Sequence, residues 1–94
     1  MPRPCKRRRI RGRPNSFSFK PKGIPNVNLE RVVLSMAEFE AVRLKDYQQL
    51  SQEECAAKMQ ISQPTFHRLL ISARKKIANA LIVGKSLEID EPQN

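Results

Sequence analysis

The chain has 94 residues, of which 18 are Lys or Arg and nine are Asp or Glu, so its net charge is +9 at pH 7. This length predicts one small domain with a modest core, and it is compatible with an oligomer. No apolar run reaches the roughly 18 residues that a membrane-spanning helix needs, and no apolar block follows the N-terminal charges as in a secretory signal. We therefore expect a cytoplasmic protein with no membrane partner.

The excess positive charge lies at the N-terminus. Residues 1–22 contain nine basic residues and no acidic one, whereas the rest of the chain contains nine of each. Prolines and glycines interrupt any periodicity in residues 1–26, so we interpret this segment as an extended basic arm that attracts polyanions.

The centre of the arm, Arg11-Gly12-Arg13-Pro14, resembles an AT-hook. In that motif the glycine lets the backbone sit deep in a narrow minor groove while the arginines lie along its floor. Neighbouring phosphates are then expected to contact Arg7, Arg8 and Arg9. Two alternatives remain open: an arm that only binds phosphates, and an arm that docks on the domain through Phe17, Phe19 and Ile24.

A short strand is predicted over residues 30–34, which are apolar and rich in β-branched side chains. Ser35 then caps a helix over about residues 36–47, and Glu38 completes a capping box. The outer face of this helix is expected to be acidic because it carries Glu38, Glu40 and Asp46. Such a face is either an ordinary solvated surface or a contact surface for a protein partner.

Residues 51–71 are typical of a helix-turn-helix. Ser51 and Glu54 form a second capping box before a helix over 52–59, and Ser62 caps a helix over 63–83. The small residue that a close helix crossing needs is Ala56, and the predicted apolar plugs are Cys55, Met59, Ile61, Phe66 and Leu69. A plain helical hairpin with a solvated polar face is the alternative.

Two positions define the boundaries of these helices. Gln60 occupies the turn position where glycine is usual, because the backbone there tends to be left-handed. A residue other than glycine in that conformation costs about 1 kcal/mol. Gly84 ends the last helix as its C-terminal cap. A second short strand is predicted over residues 86–90, paired with residues 32–34 within one chain or between two, and a tail over 91–94.

The polar residues that start the last helix form the predicted DNA-contacting set, since in this class of motif that end enters the major groove. Arg68 suits guanine O6 and N7, Gln63 suits adenine, and Thr65 suits a base edge or a thymine methyl group. His67 either contacts a base or a phosphate or is an ordinary exposed histidine. The predicted base contacts are Ser62, Gln63, Thr65, His67 and Arg68, and the predicted phosphate contacts are Gln52, Arg74, Lys75 and Lys76.

Nothing in the sequence points to an enzyme, a metal site or a cofactor. The single histidine has no nucleophile or carboxylate near it at a catalytic spacing, and no glycine-rich phosphate loop is present. Cys5 and Cys55 lie far apart without other Cys or His residues at metal spacing, so both are expected to be free thiols, with Cys55 in the core.

The chain also resembles a small prokaryotic family of unknown function whose members are regarded as predicted DNA-binding proteins, with a helix-turn-helix similar to region four of sigma factors. The resemblance implies this fold and DNA binding, without a known target. It covers nearly the whole chain. The matching segments are 19–25 (FKPKGIP), 32–34 (VVL), 38–44 (EFEAVRL), 52–56 (QEECA), 73–76 (ARKK) and 84–85 (GK).

We therefore expect a mainly helical fold, with a three-helix domain over residues 27–90, a basic arm and two short strands. The leading hypothesis is a sequence-specific binder of double-stranded DNA that regulates transcription, and a homodimer on a palindromic site suits such motifs. Two other hypotheses are a protein-interaction adaptor that docks the transcription machinery through the acidic first helix, and an RNA-binding accessory protein. The lack of aromatic stacking residues on the polar faces argues against the last.

Overall fold

The computed structural model describes residues 17–90. The AT-hook-like segment, the other arginines of the arm, Cys5 and the tail over 91–94 lie outside this range. The fold is mainly helical with a small sheet, as predicted. Its elements are β1 (Ser18–Phe19), a 3-10 turn (Asn26–Asn28), β2 (Arg31–Leu34), α1 (Met36–Val42), a π-helical segment (Arg43–Tyr47), α2 (Gln52–Met59), α3 (Gln63–Val83) and β3 (Ser86–Ile89).

The sheet has the order β1-β3-β2, with β3 in the centre. β2 pairs with β3 in parallel from Arg31–Ser86 to Leu34–Ile89, so the predicted pairing of these two segments is confirmed and occurs within one chain. β1 pairs with β3 in the antiparallel sense, and it was not predicted, because a two-residue strand next to prolines has no periodicity to detect. Residues 17–19, which the sequence analysis assigned to the arm, thus join the domain.

The helices begin and end where the sequence signals predicted. Both capping boxes form, because the side chains of Ser35 and Ser51 each accept from the backbone N–H three residues on and the N3 glutamates reciprocate. Gly84 caps α3 at φ 86°, a left-handed conformation that favours glycine. The predicted helix over 36–47 continues past Val42 as the π-helical segment, in which the Gln48 N–H donates to the Arg43 carbonyl over 2.9 Å.

The main core lies between α1, α2 and α3. Phe66, Cys55 and Met59 are fully buried in it, and Ala56 provides the predicted small residue where α2 meets α3. Ile61 and Leu69 pack against its edge and are only half-buried. A second cluster, around Leu34, Ala73 and Ile89, joins α3 to the sheet and fixes the direction in which the start of α3 points. No helix in this part of the chain is both long and apolar enough to cross a bilayer.

The prediction of an acidic outer face on the first helix is wrong. Glu38 and Glu40 are only 5% and 1% exposed. Arg43 Nε and Nη2 donate to Glu40 over 2.8 and 2.9 Å, and Glu38 accepts hydrogen bonds from Ser72 Oγ and from Lys76 Nζ. Cations and hydrogen-bond donors compensate the burial of both carboxylates. The partners Ser72 and Lys76 of Glu38 are 34 and 38 positions away in the sequence.

Burial alone would raise the pKa of Glu38, but hydrogen bonds from Ser72, from the Ser35 backbone N–H and from Lys76 outweigh it. The pKa of Glu38 therefore lies below its ordinary value. Lys76 Nζ also donates to the Val33 carbonyl over 2.8 Å, so the ion pair of Lys76 with the buried Glu38 links α1, β2 and α3.

Candidate functional site

The candidate site is the exposed start of α3, residues 62–68, supported from behind by α2. Gln60 joins the two helices in the left-handed conformation, with φ 59° and ψ 45°, as predicted for this turn position. The link to α3 is short, and Ser62 accepts a hydrogen bond from the Thr65 backbone N–H at the start of α3. Pro64 lies in the first turn, where its missing N–H leaves no hydrogen bond unmade.

The polar residues of this start face solvent. Ser62, Gln63, His67 and Arg68 are exposed and Thr65 is half-buried, while Phe66 between them fills the core. The predicted base-contacting residues are thus brought together on one accessible end of the helix. Because Phe66 and Leu70 anchor the opposite side, the position of this surface relative to the rest of the domain is rigid.

Three of these side chains form a hydrogen-bonded chain along the helix. Ser62 Oγ donates to Thr65 Oγ1 over 2.9 Å, and Arg68 Nη2 donates to the same oxygen over 3.4 Å. This long contact directs the exposed Arg68 side chain along the helix toward Thr65. This arrangement was not predicted, although the spacing of Ser62, Thr65 and Arg68 at intervals of three places them on one side of a helix.

His67 is connected to the start of α2. Its Nδ1 lies 3.0 Å from Gln52 Nε2. When the Gln52 amide donates to Nδ1, the ring proton is on Nε2, so the imidazole presents an N–H donor to solvent. Gln52, which is predicted to contact a phosphate, also orients His67 through this contact.

The basic residues farther along α3 differ in their environments. Arg74 donates to both carboxylate oxygens of Asp46, with 3.1 Å between Nε and Oδ2, and these hydrogen bonds hold the pKa of Asp46 below its ordinary value. Lys76 is engaged with Glu38 and the β2 edge, whereas Lys75 is exposed. Of the three predicted phosphate contacts on α3, the structure therefore presents Lys75 most openly, Arg74 in a surface ion pair and Lys76 in an ion pair with the buried Glu38.

The chemistry available here is hydrogen bonding and positive charge. From Ser62 to Lys85 the chain contains no acidic residue. Cys55 is buried and burial raises the pKa of its thiol, so it is not a poised nucleophile. Residues 17–90 contain no group of three or more His, Cys, Asp or Glu residues arranged to hold a metal ion.

Comparison with known proteins gave a family and close relatives. The family model "Protein of unknown function DUF134" matches residues 1–92. A UPF0251 protein of Caldanaerobacter subterraneus subsp. tengcongensis is 53% identical over 90 residues, which are 96% of this chain and 76% of that protein. A UPF0251 protein of Pelotomaculum thermopropionicum is 55% identical over 89 residues, which are 95% of this chain and 67% of that protein. No solved structure matches the chain.

Proposed function

The chain belongs to the family of proteins of unknown function DUF134, and we propose that it binds double-stranded DNA sequence-specifically and regulates transcription. In this proposal α2, the turn and α3 act as a helix-turn-helix like that of sigma-factor region four. The start of α3 enters the major groove, and the basic arm contacts phosphates or an adjacent minor groove.

The observation that carries the proposal is the accessible polar start of α3. Helix starts buried in a protein core are apolar on most sides, whereas residues 62–68 expose hydroxyl, amide, imidazole and guanidinium groups together. A cluster of such groups on a rigid helix end, beside a chain segment without acidic residues, suits the base edges and phosphates of a duplex.

Each side chain has a role that fits its geometry. Arg68 is expected to donate in bidentate fashion to guanine, and its weak contact with Thr65 favours one orientation. Gln63 is expected to pair with adenine, and the Nε2–H of His67 to donate to a base acceptor or a phosphate oxygen. Lys75 is expected to contact phosphates, joined by Arg74 when its ion pair with Asp46 opens.

The adaptor hypothesis loses the feature on which it depended. Its docking surface was the acidic face of the first helix, but Glu38 and Glu40 are buried and Asp46 is paired with Arg74. No acidic patch is therefore left on α1 for a basic partner.

The test is selection of bound sequences from random duplex DNA at physiological salt, followed by affinity measurements on the selected duplex. Arg68→Ala should weaken binding by roughly 1–3 kcal/mol and relax the preference at one base pair. The matched control is Lys58→Ala, which removes an exposed charge from α2 that is not among the predicted DNA contacts. Failure of the selection to enrich any sequence, or equal losses in both variants, would contradict the proposal.

A further inference from the structure

Three neighbouring cations of α3 are held by the domain to different degrees. Lys75 is exposed to solvent. Lys76 is paired over 2.9 Å with Glu38, whose side chain is only 7% exposed. Arg74 lies between these two cases, because it is paired with Asp46 and the two side chains are 49% and 38% exposed. The pair of Arg74 with Asp46 is therefore directly hydrogen-bonded and yet accessible from solvent.

The π-helical segment that follows α1 holds the backbone around Asp46. The Gln48 N–H donates to the Arg43 carbonyl five residues back, which is the hydrogen bond of a π-helical turn. The Asp46 carbonyl accepts from Gln49 Nε2 over 2.8 Å, and Leu44 anchors the segment in the core. π-helical turns of this kind are frequent at functional sites. The carboxylate of Asp46 is thus presented to α3 from a well-held turn.

Arg74 lies on the flank of α3 that also carries His67. The two residues are seven positions apart, which is about 20° short of two full turns and about 10 Å along the helix axis. His67 in turn contacts Gln52 at the start of α2 over 3.0 Å. The predicted phosphate contacts Gln52 and Arg74 thus lie at the two ends of one row. In the proposed complex this row faces one strand of the duplex, and Asp46 holds the guanidinium that a phosphate of that strand requires.

We infer that Asp46 competes with DNA for Arg74: the carboxylate binds the guanidinium in the free protein, and a phosphate of the duplex replaces it in the complex. The inference rests on the proposed function. Carboxylate and phosphate both accept two parallel hydrogen bonds from the planar guanidinium, so one replaces the other in the same geometry. Water and salt screen a half-exposed ion pair, so little free energy is lost when it opens.

Asp46 does not become an isolated charge in this exchange. In the free protein the hydrogen bonds from Arg74 and, less strongly, the charge of Lys45 hold the pKa of Asp46 below its ordinary value. Lys45 remains beside Asp46 when Arg74 turns to a phosphate, and water reaches the half-exposed carboxylate. The pair of Lys76 with Glu38 offers no such exchange, because Glu38 is buried and would be left without its cation.

The competition makes Arg74 a weaker phosphate contact than an unpaired arginine. Phosphate contacts carry no direct sequence information, so Asp46 lowers the affinity for every duplex and leaves the discrimination to the α3 start. It also lowers the salt dependence of binding, because a cation that already has an anionic partner contributes less than a whole phosphate contact.

The test compares Asp46→Asn with the matched control Glu88→Gln. Each variant converts a carboxylate that is paired with an arginine into its amide and raises the net charge by one, and the partner of Glu88 is Arg31 on the sheet, at 3.3 Å. Fluorescence anisotropy gives the affinities for the selected duplex and for a scrambled one at several salt concentrations. Asp46→Asn should tighten binding of both duplexes about three- to tenfold at low salt and steepen the logarithmic salt slope by up to about 0.9. Glu88→Gln should have a clearly smaller effect on both quantities.

Arg74→Gln shows whether Asp46 acts through the arginine. In the Arg74→Gln background, Asp46→Asn should lose most of its gain in affinity and leave the salt slope unchanged. Thermal denaturation checks that all variants are folded, and a merely structural ion pair would change the denaturation midpoint without changing the salt slope. The inference is overturned if Asp46→Asn fails to tighten binding, if Glu88→Gln matches it, or if the gain persists in full without Arg74.

Failure of this inference and failure of the proposed function give different results. A wild type that prefers the selected duplex, together with an Asp46→Asn variant that binds no more tightly, would contradict the competition alone. A wild type that binds both duplexes equally would contradict sequence-specific binding.

Discussion

Helix α1 directs its carboxylates into the protein, whereas the first turns of α3 direct their polar groups toward solvent. Glu38 is 5% exposed and accepts hydrogen bonds from three other residues. Arg68, by contrast, is exposed and has one weak contact at 3.4 Å within its own helix. The difference shows which polar residues the fold has already used and which remain available for a partner.

The largest expected effect comes from breaking the α1 side of this comparison. Glu38→Ala removes the carboxylate that accepts from Ser72 and Lys76, leaves Lys76 only the Val33 carbonyl, and removes half of a capping box. The free energy of unfolding should fall by about 3 kcal/mol, measured by urea denaturation. Glu53→Ala, which removes an exposed carboxylate from the start of α2, should change it by less than about 0.5 kcal/mol. Equal losses in the two variants would show that the buried contacts of Glu38 stabilise the fold no more than an exposed carboxylate does.

A smaller loss is expected on acidification. Because the pKa of Glu38 is lower in the folded protein than the ordinary value of 4.5, its contribution to stability is fully present above that value and is lost as the pH falls through the folded pKa. Asp46 acts in the same direction. Urea denaturation at a series of pH values below 5 should therefore give a steeper decline for the wild type than for Glu38→Gln. Parallel curves would exclude Glu38 as a cause of the decline.

On the α3 side, the pairing of Thr65 with Arg68 should affect DNA affinity and leave the fold intact. Thr65→Val removes the oxygen that accepts from Arg68 and Ser62, so Arg68 is less well oriented. Affinity for the selected duplex, measured by fluorescence anisotropy, should fall by about 1 kcal/mol. Thr65→Ser keeps the hydroxyl and should retain most of the affinity. If Ser and Val variants bind alike, the hydroxyl has no orienting role.

The smallest effect concerns the turn between α2 and α3. Gln60 has φ 59°, a conformation that glycine adopts at less cost. Gln60→Gly should therefore raise the free energy of unfolding by up to about 1 kcal/mol. Ala57→Gly, in the exposed interior of α2, should lower it by a similar amount. The two thermal denaturation midpoints should move in opposite directions, and a decrease in both would contradict the left-handed turn.

Local signals in the sequence were sufficient to predict the ends of the helices and the buried side of α3. The serines that precede α1, α2 and α3 and the glycine after α3 define helix ends within a few residues of themselves, and the structure has all four where they were predicted. The stripe that includes Phe66, Leu70 and Ala73 likewise identifies the buried side of α3 by its helical spacing.

Contacts between segments that are distant in the sequence could not be predicted from local sequence patterns. Glu38 and Lys76 lie 38 positions apart, so the residues near Glu38 in the sequence do not indicate that its carboxylate is buried and paired with a lysine. The same holds for Asp46 with Arg74, 28 positions apart. Arg43, three residues after Glu40, is a local partner, but the spacing alone does not show that the pair is buried. The charged helix face was therefore interpreted as solvated, and the packing of α1 against α3 shows that it is not.

The same limit applies to the candidate site. The accessibility of residues 62–68 followed from their position on the helix, but the links from Arg68 to Thr65 and from His67 to Gln52 did not. The first needs side-chain rotamers, and the second depends on how closely α2 and α3 approach. Both bear on which donors the site presents to a partner.

The most direct test of the central claim is an NMR titration of the isotopically labelled full chain with the duplex obtained by selection. The account predicts that the largest changes in amide chemical shift fall on residues 62–68 and that residues 37–41 of α1 change little. A scrambled duplex should produce smaller changes in fast exchange. Changes concentrated on α1, or a response to the selected duplex confined to residues other than the α3 start, would contradict it.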